Sequence, residues 1–298
     1  MEGIDWSIME TFLVIFFTCL GAAIGSFLNV CIVRLHVEEK PIVSLPSHCP
    51  KCGHPITVND DMPIVPHLKW QSIAFPPSHC PKCSHPIRFY DNIPVVSYFL
   101  LRGKCRDCGE PISARYPFVE ALTAAVALLL FGKFGLSLAF LATFLFVCTL
   151  IVITFIDIDH KIIPDTITLS GIPIFMLASV LCTHVTLLEA FLGMMIGAST
   201  LYFVAVYYEA ITGVEGMGGG DVTLLAMLGA FLGWKSLLFI LFVGSLIGAV
   251  VGVTLMIIKR QNMKYAVPFG PFLSAAAVLY IFFGAAFNVF LDALLFQY

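Results

Sequence analysis

The sequence predicts an all-α polytopic membrane protein with about eight transmembrane helices and a small cysteine-rich, zinc-ribbon-like insert on the cytosolic side. Three observations predict this fold class. Of 298 residues, 59% are hydrophobic and only 12% are charged, whereas soluble domains contain about 25% charged residues. Several long stretches carry almost no charge. One region near the N-terminus holds most of the cysteines and most of the basic residues.

The uncharged stretches define the predicted spans, because crossing a bilayer takes about 20 mostly apolar residues. The first span follows an acidic N-terminal segment and has no small-residue cleavage site. It therefore favours a permanent anchor over a cleavable signal peptide. The predicted spans are roughly 10–33, 116–132, 136–157, 165–183, 187–208, 221–234, 236–258 and 268–296.

The distribution of lysine and arginine predicts the orientation. Ten of the 16 basic residues lie between Arg34 and Arg115, and cytoplasmic loops of membrane proteins are rich in such residues. We therefore expect this loop inside and the N-terminus outside, with only Lys133 and Lys235 among the basic residues on the outer side. The net charge of −3 gives no indication of a nucleic-acid partner.

This topology divides the chain into three parts. Residues 1–35 form the first transmembrane helix, residues 36–114 the cytosolic cysteine-rich insert, and residues 115–298 a membrane body with about seven spans. The insert contains a repeat, because SHCPKCGHPI at 47–56 recurs as SHCPKCSHPI at 78–87. The insert therefore contains a duplicated CPKC module.

The cysteines of the insert predict a structural zinc site. Two CxxC bends present four thiolates to one tetrahedral metal, and we assign this role to Cys80, Cys83, Cys105 and Cys108. Disulfides would need an oxidising compartment, and a redox dithiol is a weaker alternative. A further pair remains, formed by Cys49 and Cys52. It either adds a partial site, exchanges with the second pair or has lost its metal.

Four aspartates gather at the predicted cytoplasmic ends of the spans: Asp157, Asp159, Asp165 and Asp221. Carboxylates at this depth are expensive and indicate function. Two neighbouring carboxylates can share one proton, so that one acts as a base toward water and the other as an acid. The favoured pair is Asp157 and Asp221. The same pair also suits an ion- or proton-coupled transporter.

Other residues are expected to support this pair. Gly218, Gly219 and Gly220 let a substrate backbone approach and permit unusual backbone angles before Asp221. Asp159 should face away from Asp157 on a regular helix, and Asp165, after a proline, suits a helix cap. Glu120 either pairs with Arg115 on the helix surface or lines a polar cavity.

Five sequence blocks in order make the chain resemble the type IV prepilin peptidase family, a group of GxGD-type membrane aspartic proteases. The blocks are GSFLNVCIVRL at 25–35, the CPKC–RGKCRDC–GEPISARYPFVE segment, FIDIDHKIIPD with Asp157, GGGD at 218–221 and VPFGPFL at 267–273. The extra CPKC module departs from the family pattern of two CxxC pairs.

The resemblance implies a bifunctional enzyme of the bacterial inner membrane. Its substrates would be prepilins or pseudopilins of type IV pilus and type II secretion systems, cut on the cytoplasmic side. The new N-terminus would then be methylated from S-adenosylmethionine, an activity for which the sequence offers no glycine-rich cofactor loop. A third class, a zinc-stabilised scaffold, is disfavoured by the four clustered acids.

Overall fold

The computed structural model describes residues 6–35, 79–80, 82–183, 185–213, 217–259 and 267–295. These residues form helices and two isolated β-bridges, which confirms the predicted all-α class. A 3₁₀ turn covers Phe89–Asn92. The α-helices are α1 (Trp6–Leu35), α2 (Val96–Leu100), α3 (Arg115–Phe134), α4 (Leu138–His160), α5 (Asp165–Cys182), α6 (Leu187–Thr212), α7 (Gly219–Leu232), α8 (Trp234–Lys259) and α9 (Gly270–Leu295).

Seven of the described helices are long and apolar enough to cross a membrane. The sixth predicted span, 221–234, corresponds to α7, which has only 14 residues and reaches about 21 Å. All residues from Leu224 to Phe231 are buried. Helix α7 therefore does not need the length of a lipid-exposed span, because other helices surround it.

Glycines bring α6 and α7 into close contact. A Cβ on Gly193 would overlap the carbonyl oxygen of Gly229, and a Cβ on Gly197 would lie 2.6 Å from the carbonyl oxygen of Leu225. Small residues allow the backbones of membrane helices to approach closely. Van der Waals packing, rather than the hydrophobic effect, then drives their association. Substituting any of these glycines would push α6 away from α7.

Helices α4 and α5 pack on α7 through aromatic rings. Phe146 of α4 stacks on Phe231 of α7 with ring centroids 4.1 Å apart, and it meets Phe175 of α5 edge-on at 5.0 Å. Ser179 of α5 donates a hydrogen bond of 2.7 Å to the carbonyl oxygen of Phe231. These contacts hold α4 and α5 against α7.

The two basic residues predicted on the outer side both have partners. Lys235 forms a 2.6 Å ion pair with Asp292. Lys133 donates to the carbonyl oxygens of Ile281 and Phe282 in α9. Lys235 is therefore neutralised by a carboxylate, and Lys133 is held by two carbonyl dipoles.

Candidate functional site

Asp157 lies in the last turn of α4 and is buried, with 4% of its surface exposed. The helix ends because Lys161 adopts a left-handed conformation, with its N–H donating to the Asp157 carbonyl at 2.8 Å. The start of α9 packs directly on this carboxylate. A Cβ on Gly270 would lie only 2.6 Å from Asp157 Oδ2, so only glycine fits there without a shift.

Asp221 lies in the first turn of α7, directly after the glycine run. Gly218 is the N-cap residue, with φ −73° and ψ 146°. None of the three glycines of this run has a positive φ. The expectation of unusual backbone angles is therefore wrong, since this helix start uses ordinary ones.

Close packing, rather than backbone conformation, explains why one residue of this run is glycine. A Cβ on Gly220 would lie 2.7 Å from Ile163 Cβ, whereas Cβ atoms on Gly218 and Gly219 would meet nothing within 4 Å. Gly220 therefore allows α7 to dock on the α4–α5 turn. The other two glycines are exposed and leave room beside Asp221.

Ile163 connects the two aspartates. It contacts Gly220, the residue before Asp221, and its Cδ1 would lie 3.0 Å from a Cβ on Gly270, the residue packed against Asp157. Asp221 follows Gly220 and Asp157 lies against Gly270, so Ile163 packs between the segments that carry the two carboxyl groups.

The other two aspartates of the group have separate partners. Asp159 forms an ion pair with Arg115 of α3, on the side of α4 away from Asp157, as predicted. Asp165 accepts a 3.3 Å hydrogen bond from Thr223 of α7. The expectation that Asp165 caps α5 is wrong, because Pro164 is the N-cap residue. Asp165 belongs to the first helical turn, where the helix dipole favours a negative charge.

Two threonines strengthen the link between α5 and α7. The hydroxyl groups of Thr168 and Thr223 are 2.9 Å apart, and Thr223 also bonds to the Gly220 carbonyl at 3.0 Å. These contacts hold the GGGD turn in place. Sequence reasoning missed them, as it missed Gly270 and Ile163. The only available signal for Gly270 was its position in the PFGP block at the start of the last predicted span.

Glu120 does not form the expected pair with Arg115 on the helix surface. Its Oε2 accepts a 2.7 Å hydrogen bond from the Val95 N–H of the cysteine-rich segment, while Arg115 pairs with Asp159 instead. Glu120 is buried, at 8% exposure. It therefore joins the insert to α3.

The four predicted metal ligands form one cluster. The Sγ atoms of Cys80, Cys83, Cys105 and Cys108 all lie within 4.8 Å of one another. The Cys80 and Cys108 sulfurs are 3.8 Å apart, which is about the spacing of thiolates around a tetrahedral zinc and far from a disulfide bond of about 2 Å. All four cysteines are free. The cluster could bind a metal ion.

The two CxxC turns have matching backbones. The Cys80 N–H donates to the His85 carbonyl at 3.0 Å, and the Cys105 N–H donates to the Glu110 carbonyl at 2.8 Å. The residue after each second cysteine is left-handed: φ is 57° at Ser84 and 72° at Gly109. In the first turn, the backbone N–H groups of Lys82 and Cys83 are directed at the Cys80 sulfur.

These donors favour a thiolate. Hydrogen bonds from the Cys83 and Lys82 backbones lower the pKa of the Cys80 thiol to about 6, because they stabilise its charged form. A deprotonated sulfur is the form that binds metal. Cys49 and Cys52, of the first module copy, lie outside the described residues.

Two protein-family models match the chain. The bacterial peptidase A24 N-terminal domain matches residues 19–70 and 65–134, and the type IV leader peptidase family matches residues 144–253. Each of the two N-terminal matches contains one copy of the CPKC module, which agrees with a duplication.

Curated relatives match along nearly the whole chain. Proteins named prepilin leader peptidase/N-methyltransferase are 37% identical in Aeromonas hydrophila, 35% in Pseudomonas putida and 37% in Neisseria gonorrhoeae. The alignments cover 95%, 90% and 91% of this chain and 93%, 89% and 91% of the relatives. No solved structure gave a significant match.

Proposed function

Because the chain belongs to the type IV leader peptidase family, we propose that it cleaves the leader peptides of prepilins or pseudopilins and methylates the new N-terminus. It is a multi-pass inner-membrane protein with seven helices suited to crossing the bilayer. The transporter alternative gains no support from the relatives.

We propose that Asp157 and Asp221 form the catalytic pair. One carboxylate removes a proton from water as the oxygen adds to the peptide carbonyl carbon, and the protonated partner donates to the carbonyl oxygen. The tetrahedral intermediate then collapses, and the leaving amine takes a proton from the pair. No covalent enzyme intermediate forms.

The space around Asp221 suits a peptide substrate. Gly218 and Gly219 are exposed and have open space at their Cβ positions. Helix α7 begins at this point and is shorter than the hydrocarbon region, so that water and an extended substrate segment can reach its first turn. We assign Gly218 to substrate approach and Gly220 to packing on Ile163.

The meeting of Asp157 and Asp221 at the Ile163–Gly270 contact carries this proposal. The test is cleavage of a purified prepilin by Asp157→Asn, Asp221→Asn and Asp159→Asn. The first two should lose cleavage by about 100-fold or more, while Asp159→Asn, which breaks only the ion pair with Arg115, should stay close to wild type. Full cleavage by either member of the pair removes it from the catalytic centre.

We propose that Cys80, Cys83, Cys105 and Cys108 hold one structural zinc ion. The sulfur spacing and the N–H groups directed at Cys80 support this assignment. Metal analysis should give about one zinc per chain, lost in Cys105→Ser. We expect Cys49→Ser to retain it, because the four described sulfurs complete a tetrahedron. Absence of metal, or oxidised cysteines in cells, would contradict the assignment.

The proposed methylation derives from the relatives' shared name. S-adenosylmethionine, when bound, would supply the methyl group to the free amine left by cleavage. A pilin is incubated with the enzyme and S-adenosylmethionine, and the mass of its N-terminal peptide is measured. This mass reports both cleavage and methylation. A cleaved, methylated product is expected, and a cleaved product that is never methylated would limit the enzyme to proteolysis.

We propose the predicted three-part organisation and orientation as well. The insert of residues 36–114 would face the cytoplasm, between the span of residues 1–35 and the body of residues 115–298. Labelling of Lys104 by an impermeant amine reagent should occur only after the inner membrane is opened. Labelling of Lys104 in intact spheroplasts would reverse the orientation.

A further inference from the structure

Helix α2 presents an exposed apolar face. Val96, Phe99 and Leu100 are 51%, 71% and 75% exposed. Their i, i+3, i+4 spacing places them on one side of the helix. Tyr98, which is partly buried, turns back onto Gly103, where a Cβ would lie 3.1 Å from the Tyr98 ring. The segment therefore folds with its polar and packed side inward and three large apolar side chains outward.

The start of α2 is fixed to α3, one of the candidate membrane spans. The Val95 N–H bonds to Glu120 at 2.7 Å, and Val95 has a φ of 61°, which a β-branched residue adopts only when its surroundings impose it. Glu120 lies five residues inside α3, which begins at Arg115, or about 7.5 Å along the helix axis.

Helix α3 has 20 residues and is about 30 Å long, which equals the thickness of the hydrocarbon core. Because α3 spans the hydrocarbon core, a point about 7.5 Å from its end lies about that far below the boundary between lipid headgroups and acyl chains, within the depth of about 5–10 Å to which interfacial helices bury their apolar faces. On α3 itself, Phe118 is 59% exposed close to this level, as expected for a lipid-facing residue.

Basic residues flank the apolar face. Arg102 and Lys104 follow α2 directly and are exposed. Basic groups at this level meet the phosphates of the headgroup region and the negative surface potential of anionic lipids. Along the chain the apolar face of α2 is followed by basic residues, just as the acyl chains of a leaflet are followed by its charged headgroups.

We propose that Val96, Phe99 and Leu100 insert into the adjacent leaflet of the bilayer. Lipid acyl chains then cover the apolar face, Arg102 and Lys104 contact the headgroups, and the four-cysteine cluster is held against the membrane surface. The anchor at Glu120 and the inserted face together restrict the insert at two points. This proposal is independent of the catalytic assignment.

The test places a tryptophan reporter on the face. Phe99→Trp and Ile87→Trp are purified and reconstituted in nanodiscs with ordinary or brominated phosphatidylcholine, and the emission of the wild-type protein, which has 3 tryptophans, is subtracted. Ile87 is the matched control, an apolar residue of the Cys80 turn that is 43% exposed. Leu100→Trp serves as a second reporter if Phe99→Trp does not fold.

We expect bromolipid to reduce the added emission of Phe99→Trp roughly twofold, with little quenching by aqueous iodide. The Ile87→Trp emission should respond to iodide and not to bromolipid. Quenching of Phe99→Trp by iodide alone would overturn the proposal, because the face would lie in water. Protection from both quenchers would also overturn it, since protein, either another part of the chain or a second copy, would then cover the face.

Discussion

Substituting Gly270 by alanine tests how tightly the geometry around Asp157 is defined. The new Cβ would lie 2.6 Å from Asp157 Oδ2 and 3.0 Å from Ile163 Cδ1. To reach the 3.4 Å of ordinary contact, the carboxylate and the start of α9 must separate by about 0.8 Å. Misplacing a catalytic group by about 1 Å can cost about 100-fold in rate, so we expect cleavage to fall roughly 10- to 100-fold.

The variant should still fold. Overpacking by one methyl group costs about 1–3 kcal/mol, and the start of α9 can adjust by a small rotation. Gly252→Ala in α8 is the matched control, since a Cβ there would meet nothing within 4 Å. The assays are prepilin cleavage under saturating substrate and thermal unfolding in detergent.

The outcome shows whether Gly270 is needed to set the position of the Asp157 carboxylate. A Gly270→Ala protein that is folded and poorly active supports a carboxylate whose position is set by this contact. A Gly270→Ala protein as active as Gly252→Ala would refute the reasoning, because the Asp157 side chain would then tolerate the displacement.

Three further predictions concern other contacts. Thr223→Val removes the hydroxyl that links α7 to α5, so cleavage should fall about tenfold, measured as kcat, with the helix content unchanged by circular dichroism. Lys235→Met leaves Asp292 without its ion-pair partner and should lower stability by about 1 kcal/mol or less, an effect that the double variant with Asp292→Leu should remove in thermal unfolding. In the insert, the hydrogen bond from Arg106 lowers the pKa of Asp91. The stabilisation by this ion pair is therefore present above about pH 4 and is lost as the pH falls through the lowered pKa. Asp91→Asn should unfold at a lower temperature than wild type at pH 7, and at the same temperature as wild type in strong acid.

The sequence determined those features that depend on local chemistry. Charge-free stretches of span length define the seven long helices, because lipid requires both apolar side chains and internally bonded backbones. The CxxC spacing identifies the four clustered cysteines, because two such turns can close on one metal. The proposed pairing of Asp157 with Asp221 rests on their common position at the predicted ends of spans.

Tertiary packing decided what no local pattern contains. Helix α7 is buried and does not need to span the bilayer, because α6 approaches it through Gly193 and Gly197. Glu120 binds a backbone N–H of the insert, since the chain folds Val95 back onto α3. Gly270 lies against Asp157 only because α9 begins beside the end of α4. These contacts join residues far apart in the chain, so their partners are set by the way the helices pack, whereas span length and ligand spacing are already present along the chain.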